Sequence, residues 1–472
     1  MFRSGNTDTT AISGNNNRPN DRWKGYTAGK WHKKDKNKVT VLYNFVERRK
    51  SWFMRAFFER NGYRYKDLGD HTLEDVRWGK EYGNRMECNP MYFTSGSLLR
   101  NLFTVQKEKN LTKEEIVERY VFLGGGGQCG PCRYGMYPQE YWKALNDAGF
   151  TGFRVMIFSS GFSSEKPPPG SALRLGLKFR VNMAMAFVLS DFMHIAECAL
   201  RPYAQNKKNA LLALTRMERI LLEAFRSRWW WFAVPAAMKR VGKVLRSIPR
   251  AKKDLPLVYV TGEFFANLAH NEGNYNLRRF IMDEGCEVFP GLFTNRVMYD
   301  FWRQERVFVR DLKYEKSIGV KVRSLRDICI ARGRAAFVTY LYNRLKKALA
   351  PETFGGKAEL YDLNHLAKLA HDYYHPEIFG GEGNLEVAEA VYYSDLVDGF
   401  ISSKPFGCLT SSGISDGVQA KVMARFPQLN FLSIETSGDN EVGILSRVSM
   451  LLFKAKQRHW MRVKGKRRDD TA

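Results

Sequence analysis

The chain's apolar positions fall into two recurring patterns, short strand-like runs and longer segments of helical spacing. Val39-Thr40-Val41-Leu42-Tyr43-Asn44-Phe45 reads as a strand, and Arg48 to Asn61 as the helix that follows. Tyr120-Val121-Phe122-Leu123 is a second strand that runs into Gly124 to Gly127. After it, Pro138 to Ala148 places Tyr141, Leu145 and Ala148 on one helical face. Gly149 stops that helix, and Phe153 to Phe158 is a third strand. Strand, glycine loop, helix, strand is the signature of a parallel sheet with crossover helices.

The pattern changes after Pro167-Pro168-Pro169-Gly170. From Leu173 to about Arg250 it is helical, interrupted by Pro235 and Pro249. Strand signals return at Leu257 to Glu263, a short helix at Leu277 to Glu284, and another strand at Cys286 to Phe289. Residues 301–350 read as helical. Strands near Gly399-Phe400-Ile401 and at Asn430 to Ile434 precede a closing helix, Glu441 to Phe453. The expected fold is therefore α/β: two or three Rossmann- or flavodoxin-like parallel-sheet units with a helical insertion. The expected divisions are a disordered leader (1–38), a first α/β domain (39–166), a basic helical segment (167–255), a second α/β unit (256–350), a C-terminal α/β part (351–453) and a basic tail (454–472).

Composition sharpens this picture. The 472 residues are 44% hydrophobic, enough to bury a substantial core. The net charge of +26 attracts anions such as nucleic acid, an acidic partner or phosphate-bearing molecules. Residues 201–253 hold 14 Lys and Arg against Glu218 and Glu223, and also carry Trp229-Trp230-Trp231-Phe232, for which core packing is the favoured reading over a membrane or RNA contact. No secretory signal is visible, and no run of about 18 uncharged apolar residues predicts a membrane span. Seven cysteines in a long chain fit reduced thiols in a cytoplasm better than a disulfide framework.

The densest chemical signal is Gly124-Gly125-Gly126-Gly127-Gln128-Cys129-Gly130-Pro131-Cys132-Arg133, where a strand ends and a helix begins. Glycines admit close approach of the backbone to a bulky group, and N–H groups at a helix start favour an anionic sulfur. The C-x-x-C pair, Cys129 and Cys132, leaves several readings open. Zinc would want a second such pair or a His pair. A redox pair, buried free thiols or an iron–sulfur ligand set are the others. A cluster would need further thiolates, and Cys88 in Glu87-Cys88-Asn89-Pro90 and Cys408 in Pro405-Phe406-Gly407-Cys408-Leu409 sit in suitable turns. Cys198, Cys286 and Cys329 read as small core residues. His371 and His375 are four apart, but a solvated helix face is the favoured reading. Glu263 and Glu382, at the ends of strand or loop segments, are candidate acid/base groups.

In these motifs the chain resembles the activase-related branch of the 2-hydroxyacyl-CoA dehydratase superfamily, which includes double-cubane cluster proteins. The resemblance rests on Gly79 to Pro90 with its cysteine, on Gly125 to Tyr137, on Arg201-Pro202-Tyr203 and on Thr261-Gly262-Glu263 with Asn271 and Asn274. Gly381-Glu382-Gly383-Asn384-Leu385 and Pro405 to Leu409 complete it, in the same order along most of the chain. It implies an oxygen-sensitive iron–sulfur cluster, [4Fe-4S] or double-cubane, on Cys88, Cys132 and Cys408, with Cys129 the less certain ligand. Gly125, Gly126, Gly127 and Arg133 would line it and offset its negative charge. It implies electron transfer from a separate ATP-dependent activase, since no G-x-x-x-x-G-K-[ST] is present. An acyl-CoA or small-molecule substrate and a homodimer or heterodimer are implied too. The basic segments depart from the family pattern and leave open a non-catalytic scaffold that binds an acidic protein or nucleic acid.

Overall fold

The structure is a computed structural model that describes residues 31–43, 48–124, 132–157, 176–251, 253–269, 271–349, 357–378 and 381–469. Two four-stranded sheets, both entirely parallel, organise it. The first holds β1 (Thr40–Tyr43), β2 (Arg64–Asp67), β3 (Tyr120–Gly124) and β4 (Val155–Ile157), in the order β2-β1-β3-β4. The second holds β5 (Leu257–Gly262), β6 (Glu287–Val288), β7 (Gly399–Pro405) and β8 (Phe431–Thr436), in the order β6-β5-β7-β8. The fold is thus the expected α/β class, with two flavodoxin-like units and inserted helices.

Both sheets share one topology. In each, the second strand lies outside the first, and the third and fourth follow on its other side. The chain reverses its direction of winding between β1 and β3, and again between β5 and β7. Such switch points open a crevice at the carboxyl ends of the strands, where parallel sheets bind ligands. The third strands are central and buried along their whole length; β3 is a continuous apolar run, whereas β7 passes from Phe400-Ile401 to the buried polar Ser402, Ser403 and Lys404.

The inserted helices Leu177–Leu200, Lys207–Arg226 and Trp230–Ser247 pack with the first sheet into the largest apolar core, which joins Val41, Phe57, Met193, Leu221 and Leu345. Leu177–Leu200 is long and apolar enough to cross a membrane by length and composition, and 89% of that apolar window is buried inside the protein. Asp191, buried at its centre, accepts the backbone N–H groups of Phe293 (2.9 Å) and Thr294 (2.7 Å). A core carboxylate therefore caps the Phe293–Tyr314 helix.

Several boundaries differ from the sequence reading. The leader contributes a short turn of 3-10 helix, Lys33–Asn37, held by the Asp35–Arg154 ion pair at 2.9 Å. The closing helix continues from Glu441 to Asp469, so the first part of the basic tail is helical. Of the Trp-rich run, Trp230 and Trp231 pack against the core, whereas Trp229 and Phe232 are each 68% exposed at the turn and first residues of a helix. Cys198 and Cys286 are buried as expected; Cys329 is exposed, because its position on the Ile318–Leu349 helix faces solvent.

Candidate functional site

The Asn89–Lys109 helix starts at Cys88, which occupies its N-cap, with Pro90 in the first turn. Proline at this place loses no helical hydrogen bond and fixes the entry of the chain. Helix Leu73–Tyr82 is driven hard against the Asn89–Lys109 helix: a side chain at Gly96 would fall 1.7 Å from the Asp75 carbonyl oxygen. Asp75 closes the start of Leu73–Tyr82 and also pairs with Arg100 at 2.7 Å. The Cys88 turn is thereby set on a rigid helical pair.

Cys408 follows β7, at the carboxyl end of the second sheet, and precedes the Leu409–Ser415 turn of π-helix. The Asn89 N–H donates to the Phe406 carbonyl at 3.1 Å. Gly407, with φ of 79°, places its Cα so close to the Cys88 turn that an added Cβ would lie 3.3 Å from the Cys88 Cα. Only glycine holds this conformation readily and leaves room for that approach. Cys88 and Cys408 consequently come from the two units to one neighbourhood, near enough that charge on Cys408 works against ionising Cys88.

The third element is the segment after β3. Cys132 precedes the Arg133–Met136 3-10 turn and is half-buried. Arg133 donates to the Met86 carbonyl, tying this segment to the Cys88 turn. Tyr137, one turn further on, sets its hydroxyl 3.0 Å from the Cys88 sulfur. The sequence-predicted residues Gly125, Gly126, Gly127 and Cys129 lie outside the described residues.

Both buried thiols are held protonated by their surroundings. Burial pushes Cys88 up to about 12, with the Tyr137 hydroxyl opposing the shift, and pushes Cys408 up to about 11. Glu263 adds to the effect at both sulfurs. A cationic metal core would reverse this balance by taking the place of the protons. The Cys408 sulfur also accepts the Ser411 N–H at 3.5 Å and lies 3.6 Å from the Thr410 hydroxyl. Thiols with O–H and N–H groups beside them are soft donors. Among the described residues, no group of three or more His, Cys, Asp and Glu side chains is disposed to hold a metal ion.

Glu263 ends β5 and caps the short Phe264–Leu268 helix, accepting the N–H groups of Phe265 (2.9 Å) and Ala266 (3.0 Å). Burial raises it to about 7, helped by the Glu382 carboxylate and opposed by those N–H groups and Arg296. Glu382, the other sequence-predicted acid/base residue, is ion-paired with Arg296. The two candidate glutamates therefore belong to one site.

Two further carboxyls escaped the sequence reading. Glu386 and Glu389 follow Glu382 on the buried Gly383–Tyr392 helix, at spacings that put all three on one face. Burial raises Glu386 to about 8 and Glu389 to about 7. Ser411 donates to Glu386, and Thr261 to Glu389. With Glu382 they line a small cavity of about 40 Å³ between the β5 end and this helix, together with Asn295, Arg296 and Tyr361. Their signal in the sequence is the recurrence of Glu at four- and three-residue spacing in an otherwise apolar helix. His371 and His375 are exposed, with rings 5.3 Å apart.

Comparison with known families and with curated proteins finds no match for the chain.

Proposed function

We propose that the chain is an iron–sulfur protein of 2-hydroxyacyl-CoA dehydratase type. Cys88, Cys132 and Cys408, with Cys129, would hold a [4Fe-4S] or double-cubane cluster. The cluster would supply low-potential electrons, received from a separate ATP-dependent activase, for reduction or dehydration of an acyl-CoA or another small molecule. The observation that carries this reading is the meeting of the Cys88 and Cys408 turns at the carboxyl ends of two separate parallel sheets, with the Cys132 segment tied to them through Arg133.

The protein's own residues have clear tasks in this reading. Tyr137 and Ser411 place hydrogens on the ligand sulfurs and so temper their charge. Arg133 brings a guanidinium to the sulfur side of the site. Glu263 holds a proton near neutral pH beside both thiols and can give it to a leaving hydroxyl. Arg296 holds Glu382 in place. Glu386 and Glu389 continue the row of protonated carboxyls toward the interior.

Anaerobic purification and reconstitution, followed by iron and sulfide analysis, tests the proposal. Brown protein with matched iron and inorganic sulfide is expected; a colourless chain without iron rejects the reading.

A second reading, a scaffold that binds nucleic acid or an acidic protein, is favoured by one feature. The Lys207–Arg226 and Trp230–Ser247 helices present Arg216, Arg219, Lys239, Arg240, Lys243 and Arg246 to solvent, beside exposed Trp229 and Phe232. Gel retardation across salt concentrations separates this reading, because phosphate contacts give a steep salt dependence. Absence of retardation at low salt removes nucleic acid.

A further inference from the structure

A cavity of about 280 Å³ opens at the β6 edge of the second sheet. Glu287 in its wall is level with Leu257, the first residue of β5, so the cavity lies at the amino end of the sheet, away from the cysteine turns. Tyr203, Arg250, Lys253, Glu287 and Lys357 supply its polar lining, and Cys198 closes one side.

The charges in this lining do not cancel. Glu287 is the one carboxylate among the described lining residues. It is already engaged, accepting the Tyr203 hydroxyl at 2.9 Å and the Lys357 ammonium. Arg250 donates to the Leu245 carbonyl at 3.1 Å and forms no ion pair among the described residues. It is half-buried, and burial works against its charge. Lys253 at the rim is exposed and has no ion pair among the described residues either. The nearby Asp254 faces His459 at 3.5 Å. A half-buried guanidinium without a counter-charge is costly unless an anion completes it.

The position of Arg250 is also fixed in advance. Residues Ala204 and Arg250 form an isolated antiparallel bridge, and Ala251 donates to the Tyr203 carbonyl at 2.7 Å. The guanidinium is therefore set beside Tyr203 by backbone pairing.

We propose that this cavity binds the phosphate group of a small phosphorylated molecule. Arg250 and Lys253, two cations without an ion pair among the described residues, balance a phosphate dianion. The planar guanidinium fork matches two phosphate oxygens, and a phosphate dianion answers both positive charges where a lone carboxylate answers one. The cavity sits at the lower end of the roughly 300–1,000 Å³ range of small-molecule pockets. It admits a phosphate with a short organic group and is too small to enclose a whole nucleotide thioester. The site is independent of the cysteine cluster.

Calorimetric titration of the purified full chain tests this, with inorganic phosphate, glycerol 3-phosphate and acetate as probes. Saturable binding of one phosphate or phosphomonoester per chain is expected, with acetate much weaker. Arg250→Gln should weaken it about tenfold or more, the worth of a charged hydrogen-bonded pair, and Arg250→Lys should restore part of it. Arg240→Gln, on the exposed helical face, should leave it unchanged. Lys253→Gln gives a second reading of the site should Arg250→Gln unfold the chain. Equal loss in Arg240→Gln and the site variants would assign binding to the general positive field and overturn the proposal, as would phosphate binding that survives both Arg250→Gln and Lys253→Gln. Absence of saturable phosphate binding overturns it as well, and tighter binding of glycerol 3-phosphate than of phosphate marks an organic ester as the natural occupant.

Discussion

The Asn89 N–H reaches the Phe406 carbonyl at 3.1 Å, and this one hydrogen bond joins the first turn of a helix in one α/β unit to the end of a strand in the other. Each partner is next to or near a cysteine. The bond holds the Cys88 and Cys408 turns together, and Arg133 ties the Cys132 segment to the Cys88 turn at the Met86 carbonyl.

Gly407 is the backbone hinge of this contact. Gly407→Val would impose a left-handed conformation costing roughly 1–2 kcal/mol on a residue with a side chain, and would press against Cys88 and the Glu87 carbonyl. The expected result is a folded chain that retains less iron after reconstitution than the wild type. Iron analysis beside circular dichroism checks it; full iron content in the variant would show that the spacing of the turns does not matter.

Tyr137→Phe removes a single hydroxyl from the Cys88 sulfur without altering the ring packing against Tyr134 and Tyr141. Hydrogen bonds to sulfur favour the reduced, more negative cluster. The variant should therefore keep its iron and show a lower reduction potential in an anaerobic redox titration. An unchanged potential would place this tyrosine outside the cluster's reach.

Glu389 gives a stability signature with a defined sign. Its carboxyl, raised from 4.5 to about 7, binds a proton in the folded chain that the unfolded chain releases. The stability linked to this proton is fully present below about pH 4.5 and is lost as pH rises through 7. Glu389→Gln removes that dependence. The fall in melting temperature between pH 5 and pH 8 should be smaller in the variant than in the wild type, and an equal fall in both would show that Glu389 is ionised throughout.

Asp191→Ala strips the cap from the Phe293–Tyr314 helix and leaves two buried N–H groups without their acceptor. A loss of about 2 kcal/mol is expected, the upper end for such caps. Urea denaturation measures it, and a change below the error of the extrapolation would mean that the Leu177–Leu200 helix shifts to replace the contact.

β3 is legible because burial on both faces favours an apolar run, Val121-Phe122-Leu123; β7 is legible only in its Phe400-Ile401 half, since Ser402, Ser403 and Lys404 are buried polar residues. β2 escaped, since Arg64-Tyr65-Lys66-Asp67 is an edge strand with one apolar residue, defined by its pairing with β1 and not by its own pattern. The Asn89–Lys109 helix also escaped. Its Thr, Ser and Gly residues serve close helix packing, visible only when the neighbouring helix is in place. Glycine and proline turns mark Cys88, Cys132 and Cys408 in the sequence; the structure joins the Cys88 and Cys408 turns, and among the described residues no three such side chains gather as a metal site. Arg296, Glu386 and Glu389 carry no such mark. Their roles come from burial against one another, which separates in sequence what the fold brings together.

In the proposed function, sulfurs from the two units share one inorganic core. Electron paramagnetic resonance of the anaerobically reconstituted and reduced chain tests it most directly, with Cys88→Ala, Cys132→Ala and Cys408→Ala compared against Cys329→Ala on the exposed helix. A reduced-cluster signal is expected in the wild type and the Cys329 variant, altered or lost in each of the other three. A signal indifferent to Cys88 and Cys408, or no signal from any of the proteins, would contradict it.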